Sequence, residues 1–417
     1  MRTYVMMFGI ANIVAGGPIY NSNKIKYLEQ HNWNVVVFPT DSGKIYIKPL
    51  EKYNGLDYRF LHFSPYIFGK RKINKMIKRM ASSVPQSDCI IIETGTDYTA
   101  LWGELLAKEL DARHIVMFLD EKNKNVNRYS APFYEFKYKR HELYSISAKS
   151  LMHIFSPYFD IAEPEKNVWN AWCTNSVSNI NSNIVDELPH ADYLIGSIGR
   201  LDKKFVPNII KGVCAFADIY SQKKIGLCFF GGAVDSKIIN NIKDEIERHS
   251  NIILYISGYI WPIPESVFSH IDAFVSGAGS ALISANMGVP TINMDVLTNK
   301  PIGIIDDALS LHCDPMKEVD SKVEDYLNKI LINKTFPEVL NRISIEDEWK
   351  VICADFEKQI TQIEKISSER QYFETDNIWD HRTIHRFQKL IAKWTSYKFF
   401  LLVQKMYSWI GGHGFKI

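Results

Sequence analysis

The chain has 417 residues, of which 46% are hydrophobic, 23% are charged and 13% are aromatic. This length and composition are typical of a globular protein with two or three domains. The formal net charge of +2 excludes a chain built as a whole for nucleic acid, and the sequence contains no apolar run long enough to predict a membrane-spanning helix.

The first 120 residues alternate apolar runs with amphipathic segments. The predicted strands are TYVMMFGI, NVVVFPT, CIIIETG and HIVMFLD, and helices are predicted between them. Near-continuous apolar strands that alternate with helices indicate a parallel sheet covered on both faces. The first run is predicted to be a core strand rather than a signal peptide, because it carries one basic residue, an asparagine and no clear cleavage pattern.

The same alternation restarts after a polar and aromatic stretch at 121–190. Strands are predicted at DYLIGSIG, KIGLCFFGG, NIILYISGY, IDAFVSG and PTINMD, and the chain becomes mainly helical from about 321. The sequence therefore predicts the α/β class, with a boundary between two domains near DELPHAD. No zinc-ligand spacing is present and the cysteines form no CxxC pair, so no metal site is predicted.

Two features resemble the GT-B glycosyltransferases: the glycine pair Gly16-Gly17 after the first strand, and GRLDKK at the start of the second domain. The resemblance covers most of the chain in layout and 195–295 in motif. It implies two Rossmann-like doubly wound domains that face a cleft. The implied bounds are 1–188 for acceptor binding, 189–370 for donor binding and 371–417 for C-terminal helices that pack back on the first domain.

The resemblance also implies a set of donor-binding residues. Arg200, with either Lys203 or Lys204, would hold the diphosphate of a nucleotide-sugar, because fixed cations stabilise the charge that a leaving nucleoside diphosphate gains. These cations and a helix N-terminus would neutralise the diphosphate without a metal, and no cofactor is expected beyond the nucleotide-sugar substrate. The alternative is a solvated loop with ordinary charges.

Three further motifs follow in the order that the resemblance implies. Gly16-Gly17 would lie under the donor phosphates, and Gly231-Gly232 would let a ligand approach the backbone closely. Tyr259 and Ile260 would contact the nucleotide base through backbone groups. Each motif has a plainer interpretation, as a tight turn or as the end of a core strand.

The stretch FVSGAGSALISANMG forms the last expected donor contact. Ser280 is predicted to cap a helix whose free N–H groups favour an anion. Many retaining members of the family carry two glutamates seven residues apart here, where this chain has Ser276 and Ile283. The stretch is therefore expected to hold phosphate without gripping ribose in the usual way, as in an inverting or divergent branch. The donor residues expected from this stretch are Ser276, Gly277, Gly279, Ser280 and Ala281.

An inverting enzyme needs a general base to take the proton of the acceptor hydroxyl. Asp120 and Glu93 are the candidates, because each ends a predicted strand of the first domain and strand ends line the crevice of open α/β sheets. The alternative for Asp120 is a solvated acid at a strand end.

The segment KRKINKMIKRM, 70–80, has six basic residues and no acidic one. Its apolar residues recur at helical spacing, which predicts an amphipathic helix able to lie on an anionic membrane surface. An ordinary surface helix with a solvated basic face is the alternative.

The combined expectation is a cytoplasmic glycosyltransferase, peripheral on the inner face of the membrane if 70–80 binds lipid. Its acceptor would be a glycan or a lipid-linked sugar of a bacterial surface polysaccharide. The alternatives are a nucleotide-sugar epimerase or hydrolase of the same fold, and a non-catalytic protein that binds sugar nucleotides.

Overall fold

A computed structural model describes residues 1–95, 98–119, 126–173, 176–179, 183–296, 298–306, 321–339, 344–366, 369–375, 390–392, 394–396 and 398–403. Within these ranges, no helix combines the length and the hydropathy needed to cross a membrane.

The first half of the chain folds around a five-stranded parallel sheet in the order β2-β1-β3-β4-β5. The strands are β1 (Arg2–Phe8), β2 (Asn34–Pro39), β3 (Cys89–Thr94), β4 (Arg113–Phe118) and β5 (Leu143–Ser145). The helices are α1 (Gly16–Gln30), α2 (Lys70–Ala81), α3 (Tyr98–Leu110), α4 (Ala131–Lys139) and α5 (Ala148–Phe155).

The second half folds around a six-stranded sheet in the order β13-β12-β11-β7-β8-β9, in which β13 is antiparallel to its neighbour. Its strands are β7 (Tyr193–Ile198), β8 (Ile225–Phe230), β9 (Ile252–Ile256), β11 (Ala273–Gly277), β12 (Thr291–Met294) and β13 (Pro301–Ile304). The short strands β6 (Val177–Ser178) and β10 (Ile263–Pro264) pair with each other. The helices are α6 (Val206–Ile219), α7 (Ser236–Ile246), α8 (Gly279–Asn286) and α9 (Val323–Leu327).

Both sheets are covered on both faces, as the apolar strands predict. In β1, Tyr4 and Met6 belong to one buried cluster, whereas Val5 and Met7 belong to another on the opposite face. This alternation follows from the two-residue period of a strand. The prediction of two doubly wound, Rossmann-like α/β sheets is confirmed.

The last long helix, α10 (Ile345–Lys365), returns to the first sheet. Ile352, Phe356, Ile360 and Ile363 repeat at helical spacing and join the buried cluster of the first sheet. The range 189–370 expected for the second domain therefore ends in a helix that packs on the first. Two Rossmann-like sheets with a crossing helix form the GT-B layout that the sequence resembles.

Helix α2 does not offer an apolar face to a membrane. Ile73, Ile77 and Met80 are buried in the core of the first half, because they recur on the side of the helix that faces α3. The expectation of an amphipathic helix holds, but its apolar stripe packs inward. The basic residues of α2 remain largely exposed.

A buried charge cluster lies between α3, β4 and α4. Lys137 Nζ is 2.5 Å from Glu104 Oε2 and 3.0 Å from Glu142 Oε2. His114 Nδ1 is 2.7 Å from Glu104, and its Nε2 is 2.9 Å from Thr94 Oγ1. Burial, reinforced by Lys137, lowers the pKa of His114 to about 4. Burial alone would raise the pKa of Glu104, but Lys137 and His114 outweigh it and lower that pKa to about 2.

Protonation of this cluster is expected to destabilise the protein in mild acid. Between pH 6.5 and pH 4 the unfolded chain protonates His114 and the folded chain does not, so stability falls as pH falls. From pH 7 to pH 5 the free energy of unfolding should drop by about 2 kcal/mol from this residue. Urea unfolding at pH 7, 6 and 5 measures the slope. A His114→Gln variant should flatten it, whereas His153→Gln, at an exposed histidine, should leave it unchanged.

Candidate functional site

A cavity of about 420 Å³ opens at the carboxyl edge of the first sheet. The strand order reverses between β1 and β3, and ligands of open α/β sheets bind in the crevice at such a switch point. Gly9 follows β1, Thr94 ends β3, Gly95 follows it, and Gly17 is the second residue of α1; all of these residues line the cavity. The first half therefore has a preformed binding space where the topology favours one.

His62 lines this cavity and interacts electrostatically with Asp41. The carboxylate of Asp41 accepts the backbone N–H groups of Ile10, at 2.7 Å, and Ala11, at 3.1 Å. Gly9 makes room for it, since a Cβ there would stand 2.7 Å from Asp41 Oδ2. Partial desolvation by the cavity walls lowers the pKa of His62, which nevertheless remains exposed, and the Asp41 charge opposes that shift. Burial raises the pKa of Asp41, although the two N–H groups and His62 oppose the rise.

This arrangement gives the cavity a proton acceptor. A histidine whose pKa is lowered is mainly neutral at pH 7, and the nearby carboxylate stabilises the imidazolium that forms when it accepts a proton. Sequence reasoning missed both residues. Asp41 directly follows the predicted strand NVVVFPT, much as Asp120 ends another predicted strand, and that position was a usable signal. His62 ends a short 3₁₀ turn, Arg59–His62, which no sequence motif marks.

Glu93, which the sequence offered as a candidate base, also lines the cavity, but buried side chains fix its carboxylate by hydrogen bonds. Its carboxylate is 4% exposed and its Oε2 accepts hydrogen bonds from Lys24 and from Tyr4 Oη, the latter at 2.5 Å. Lys24 is fully buried and also donates to Tyr20 Oη at 3.0 Å and to Gln359 Oε1 at 3.1 Å. These contacts favour a positioning role for Glu93. Asp120 lies outside the described residues.

The residues expected around a donor surround the switch point of the second sheet, which lies between β7 and β11. Ser276 Oγ is buried and accepts the backbone N–H of Ile198 at 3.0 Å, so it joins these two strands. Ile283, at the other position where a glutamate was expected, is buried in an apolar cluster. Both positions therefore serve the packing of the second half.

Backbone packs directly on backbone in the loops after β7 and β8. A Cβ at Gly231 would stand 1.8 Å from the carbonyl oxygen of Gly199, and one at Gly232 would stand 3.1 Å from the Tyr259 ring. Glycine is required at 231 because no side-chain movement relieves a clash with backbone. The structure thus brings the GG pair and Tyr259 together.

Helix α8 begins at the same edge, but Ser280 does not cap it. The N-cap is Ala278, whose φ of 54° and ψ of −139° place a non-glycine residue in a strained conformation. Gly277 is confined by the Met294 carbonyl oxygen, which a Cβ would approach to 2.7 Å. Gly279 is the first residue of the helix, and Ala281 is buried with Ala285 and Ile305.

The predicted cations follow Gly199, where a Cβ would stand 3.8 Å from Ser280 Oγ. Arg200 Nε is 3.1 Å from Asp202 Oδ1, an ion pair without hydrogen-bond geometry, and both side chains are about one third exposed at 31% and 29%. Lys203 Nζ lies 6.0 Å from the centre of the Phe205 ring, and that ring lies against Gly277. Lys204 is exposed. Lys203 therefore stands over the ring that packs on Gly277.

The carboxyl edges of the two sheets meet through aromatic residues. Tyr46, beyond β2, and Tyr259, beyond β9, pack edge to face with ring centres 5.1 Å apart. Burial and the charge of Asp202 raise the pKa of Tyr259 to about 12, and Arg200 opposes the rise. Tyr259 Oη and Trp261 Nε1 are buried and have no hydrogen-bond partner among the described residues.

The remaining predicted positions lie in packing contacts. A Cβ at Gly16 would stand 2.9 Å from Cys173 Cβ, so the start of α1 packs on the segment that leads to the second half. Gly17 faces the cavity beside Leu119. The side chain of Ile260 packs on a buried cluster of the second half.

No protein-family model and no curated protein matches the sequence. Solved structures with a similar layout include Anabaena Alr3699/HepE in complex with UDP and glucose, with 11% identity, coverage of 88% of this chain and 99% of that chain, and a TM-score of 0.49. A glycosyltransferase from Rickettsia africae ESF-5 has 13% identity, coverage of 99% and 100%, and a TM-score of 0.48. A UDP-GlcNAc 2-epimerase from Neisseria meningitidis, bound to UDP-GlcNAc, has 13% identity, coverage of 85% and 100%, and a TM-score of 0.47. All three TM-scores lie below 0.5.

Proposed function

We propose that the protein is a glycosyltransferase that uses a nucleotide-diphosphate sugar. The acceptor binds in the cavity of the first half, and the donor binds at the β7–β11 edge of the second. The observation that carries this proposal is the juxtaposition of two switch-point edges, one with a cavity that contains a histidine and the other with Arg200 and a glycine-rich loop. Tyr46 and Tyr259 join the two edges.

The geometry supports a direct displacement at the sugar. His62 accepts the proton of the acceptor hydroxyl while that oxygen forms a bond to the anomeric carbon. The bond from that carbon to the diphosphate oxygen breaks, and the nucleoside diphosphate leaves with the electron pair. Arg200 and Lys203 stabilise the charge that develops on it, a role that backbone N–H groups at the start of α8 support.

The acceptor is proposed to be a glycan or a lipid-linked sugar of a bacterial surface polysaccharide, used at the cytoplasmic side of the membrane. The cavity suits a sugar because it combines hydroxyl and amide groups with apolar walls: Asn21, Thr40, Ser64 and Thr99 lie among Leu61, Leu101 and Leu119. Tyr98 and Tyr134 also line it and provide flat faces for a sugar ring.

Thermal stabilisation of the purified protein by UDP, GDP, CMP and their sugars tests the donor. A selective response identifies the base, and incubation of the active donor with and without acceptors identifies the reaction. Transfer to an acceptor supports the proposal. Isomerised donor, or turnover that needs no acceptor, would instead indicate the epimerase or hydrolase alternative. No response to any nucleotide would contradict the proposal.

An Arg200→Ala variant is expected to bind the selected nucleoside diphosphate about 10-fold to 100-fold more weakly, because it loses charge-assisted hydrogen bonds to the phosphates. Isothermal titration measures the change in Kd. Arg248→Ala is the matched control, since Arg248 is 69% exposed and forms a local ion pair with Glu245 on the second half. Equal affinities of the two variants would remove Arg200 from the donor site.

A further inference from the structure

A second cavity, of about 430 Å³, lies where the two halves of the chain meet. Its volume is within the range of small-ligand sites, about 300–1,000 Å³. Among the described residues, none lines both this cavity and the one above the first sheet. Helix α1 lies beside both: its first turns line the first cavity, and its later turns line the second. We refer to the second one as the junction cavity.

The second half supplies a flat aromatic wall to the junction cavity. Trp261 lies between β9 and β10, and the backbone N–H of Ile263 donates to the carbonyl oxygen of Ser176 at 2.8 Å. The pairing of β6 with β10 therefore holds Ser176 and Trp261 close together, and both line the cavity. Trp261 also packs on the buried cluster of the first sheet. Its Nε1 is buried without a hydrogen-bond partner among the described residues, so packing alone orients the ring.

The first half supplies polar side chains from one face of α1. Residues three, four and seven positions apart lie on the same face of a helix, so their side chains reach the same space. The residues of α1 that line the junction cavity with polar groups are Ser22, Asn23, Lys26, Glu29 and Gln30. Together they offer both hydrogen-bond donors and acceptors.

The charges that line the junction cavity are largely balanced within the protein. Lys52, which also lines it, forms an ion pair with Glu29. Lys26 Nζ stands 3.7 Å from the centre of the Trp349 ring of α10. A phosphate or carboxylate in the cavity would lie beside the Glu29 carboxylate and would compete with contacts that the two lysines already make. This balance favours an uncharged ligand with many hydroxyl groups.

We propose that the junction cavity is a second carbohydrate site, which binds a neutral oligosaccharide. A sugar ring presents C–H groups on its faces and hydroxyl groups at its edges. The ring of Trp261 complements the faces, and the hydroxyl, amide and carboxylate groups of α1 complement the edges. The inference goes beyond the proposed transfer reaction, because binding here requires neither the donor nor His62.

Saturation-transfer NMR and isothermal titration of the full-length protein, without any nucleotide, test the proposal. The neutral probes are maltotriose, cellotriose, mannotriose and tri-N-acetylchitotriose, and the anionic probes are trigalacturonic acid and inorganic phosphate. At least one neutral trisaccharide is expected to bind. Trp261→Ala should weaken that binding at least about tenfold, because the flat face is lost. Trp261→Phe keeps a flat ring and should stay within about threefold of the wild type.

A second variant leaves the packing of Trp261 intact. Glu29→Ala/Gln30→Ala replaces two exposed residues of α1 with the residue that favours helix most, so the fold should be retained. The lost hydrogen bonds should weaken binding by about tenfold or more. Asn241→Ala/Glu245→Ala is the matched control, since it makes the corresponding changes at two exposed residues of α7 and should bind as the wild type does. Thermal unfolding of every variant confirms that its fold is retained.

The outcomes separate this site from the first cavity. The proposal is overturned if no neutral trisaccharide binds, or if the anionic probes bind more tightly than the neutral ones and Trp261→Ala abolishes their binding. It is also overturned if Trp261→Ala and Glu29→Ala/Gln30→Ala both bind as the wild type does, since the sugar then occupies the first cavity alone. Because the donor is absent throughout, a failure here is distinct from a failure of the proposed transfer reaction.

Discussion

Replacement of His62 by glutamine is expected to lower kcat by about 10²-fold to 10⁴-fold, the usual contribution of a positioned general base. His62 lines the cavity, and its lowered pKa leaves it neutral and able to accept a proton at pH 7. Glutamine keeps a polar side chain of similar length but cannot act as a base. The measurement is the initial rate of transfer with the donor identified by thermal stabilisation.

Two comparisons separate catalysis from structure. His153→Gln changes an exposed histidine of the same half and should leave kcat unchanged. Asp41→Asn removes the charge that raises the pKa of His62, so the acidic limb of the kcat/KM profile should move to lower pH. If His62→Gln retains full activity while Glu93→Gln abolishes it and remains folded, Glu93 is the base instead.

The elements of both sheets were predictable from local patterns. The apolar run predicted at 3–10 overlaps β1, and the runs ending at Thr40, Gly95 and Asp120 overlap β2, β3 and β4. Near-continuous hydrophobicity indicated that both faces would be covered, and the alternation with helices indicated parallel strands. These signals depend on a few adjacent residues, so they are present in the sequence itself.

The site was harder to predict from the sequence, because it depends on pairing between distant segments of the chain. The sequence does not reveal that β1 lies beside β3, and only that order creates the switch point above which the cavity opens. His62 reaches the cavity from a short 3₁₀ turn without hydrophobic periodicity. Ser280 was expected to cap α8 from its residue type, but the chain turns at Ala278 through a conformation that propensity disfavours.

Long-range contacts also changed the interpretation of single residues. Glu93 was a reasonable base as an acid at a strand end, yet Lys24 of α1 lies behind it and Gln359 of α10 completes the arrangement. The apolar stripe of α2 was correctly placed on one face, but the sequence could not show what would cover that face. In both cases the partner lies far along the chain.

Loss of Lys24 is expected to have the largest effect on stability. A Lys24→Met variant leaves the buried carboxylate of Glu93 without its cation, and breaking a buried ion pair in this way costs about 3–5 kcal/mol. Methionine still fills much of the space between the rings of Tyr20, Phe356 and Trp169, so the loss reports mainly on charge. Urea unfolding at pH 7 measures the change in the free energy of unfolding.

An exposed pair in the same half provides the matched control. Lys52 and Glu29 form an ion pair at 47% and 44% exposure, so Lys52→Met should cost no more than about 1 kcal/mol. Combining Lys24→Met with Glu93→Gln should recover most of the lost stability, because no uncompensated charge remains while Tyr4 keeps a hydrogen-bond acceptor. If the double variant is as unstable as Lys24→Met alone, the packing of the lysine stem stabilises this wall of the cavity. If the double variant recovers its stability, the Lys24–Glu93 ion pair is dispensable for folding. The pair then serves to orient Glu93 beside the cavity.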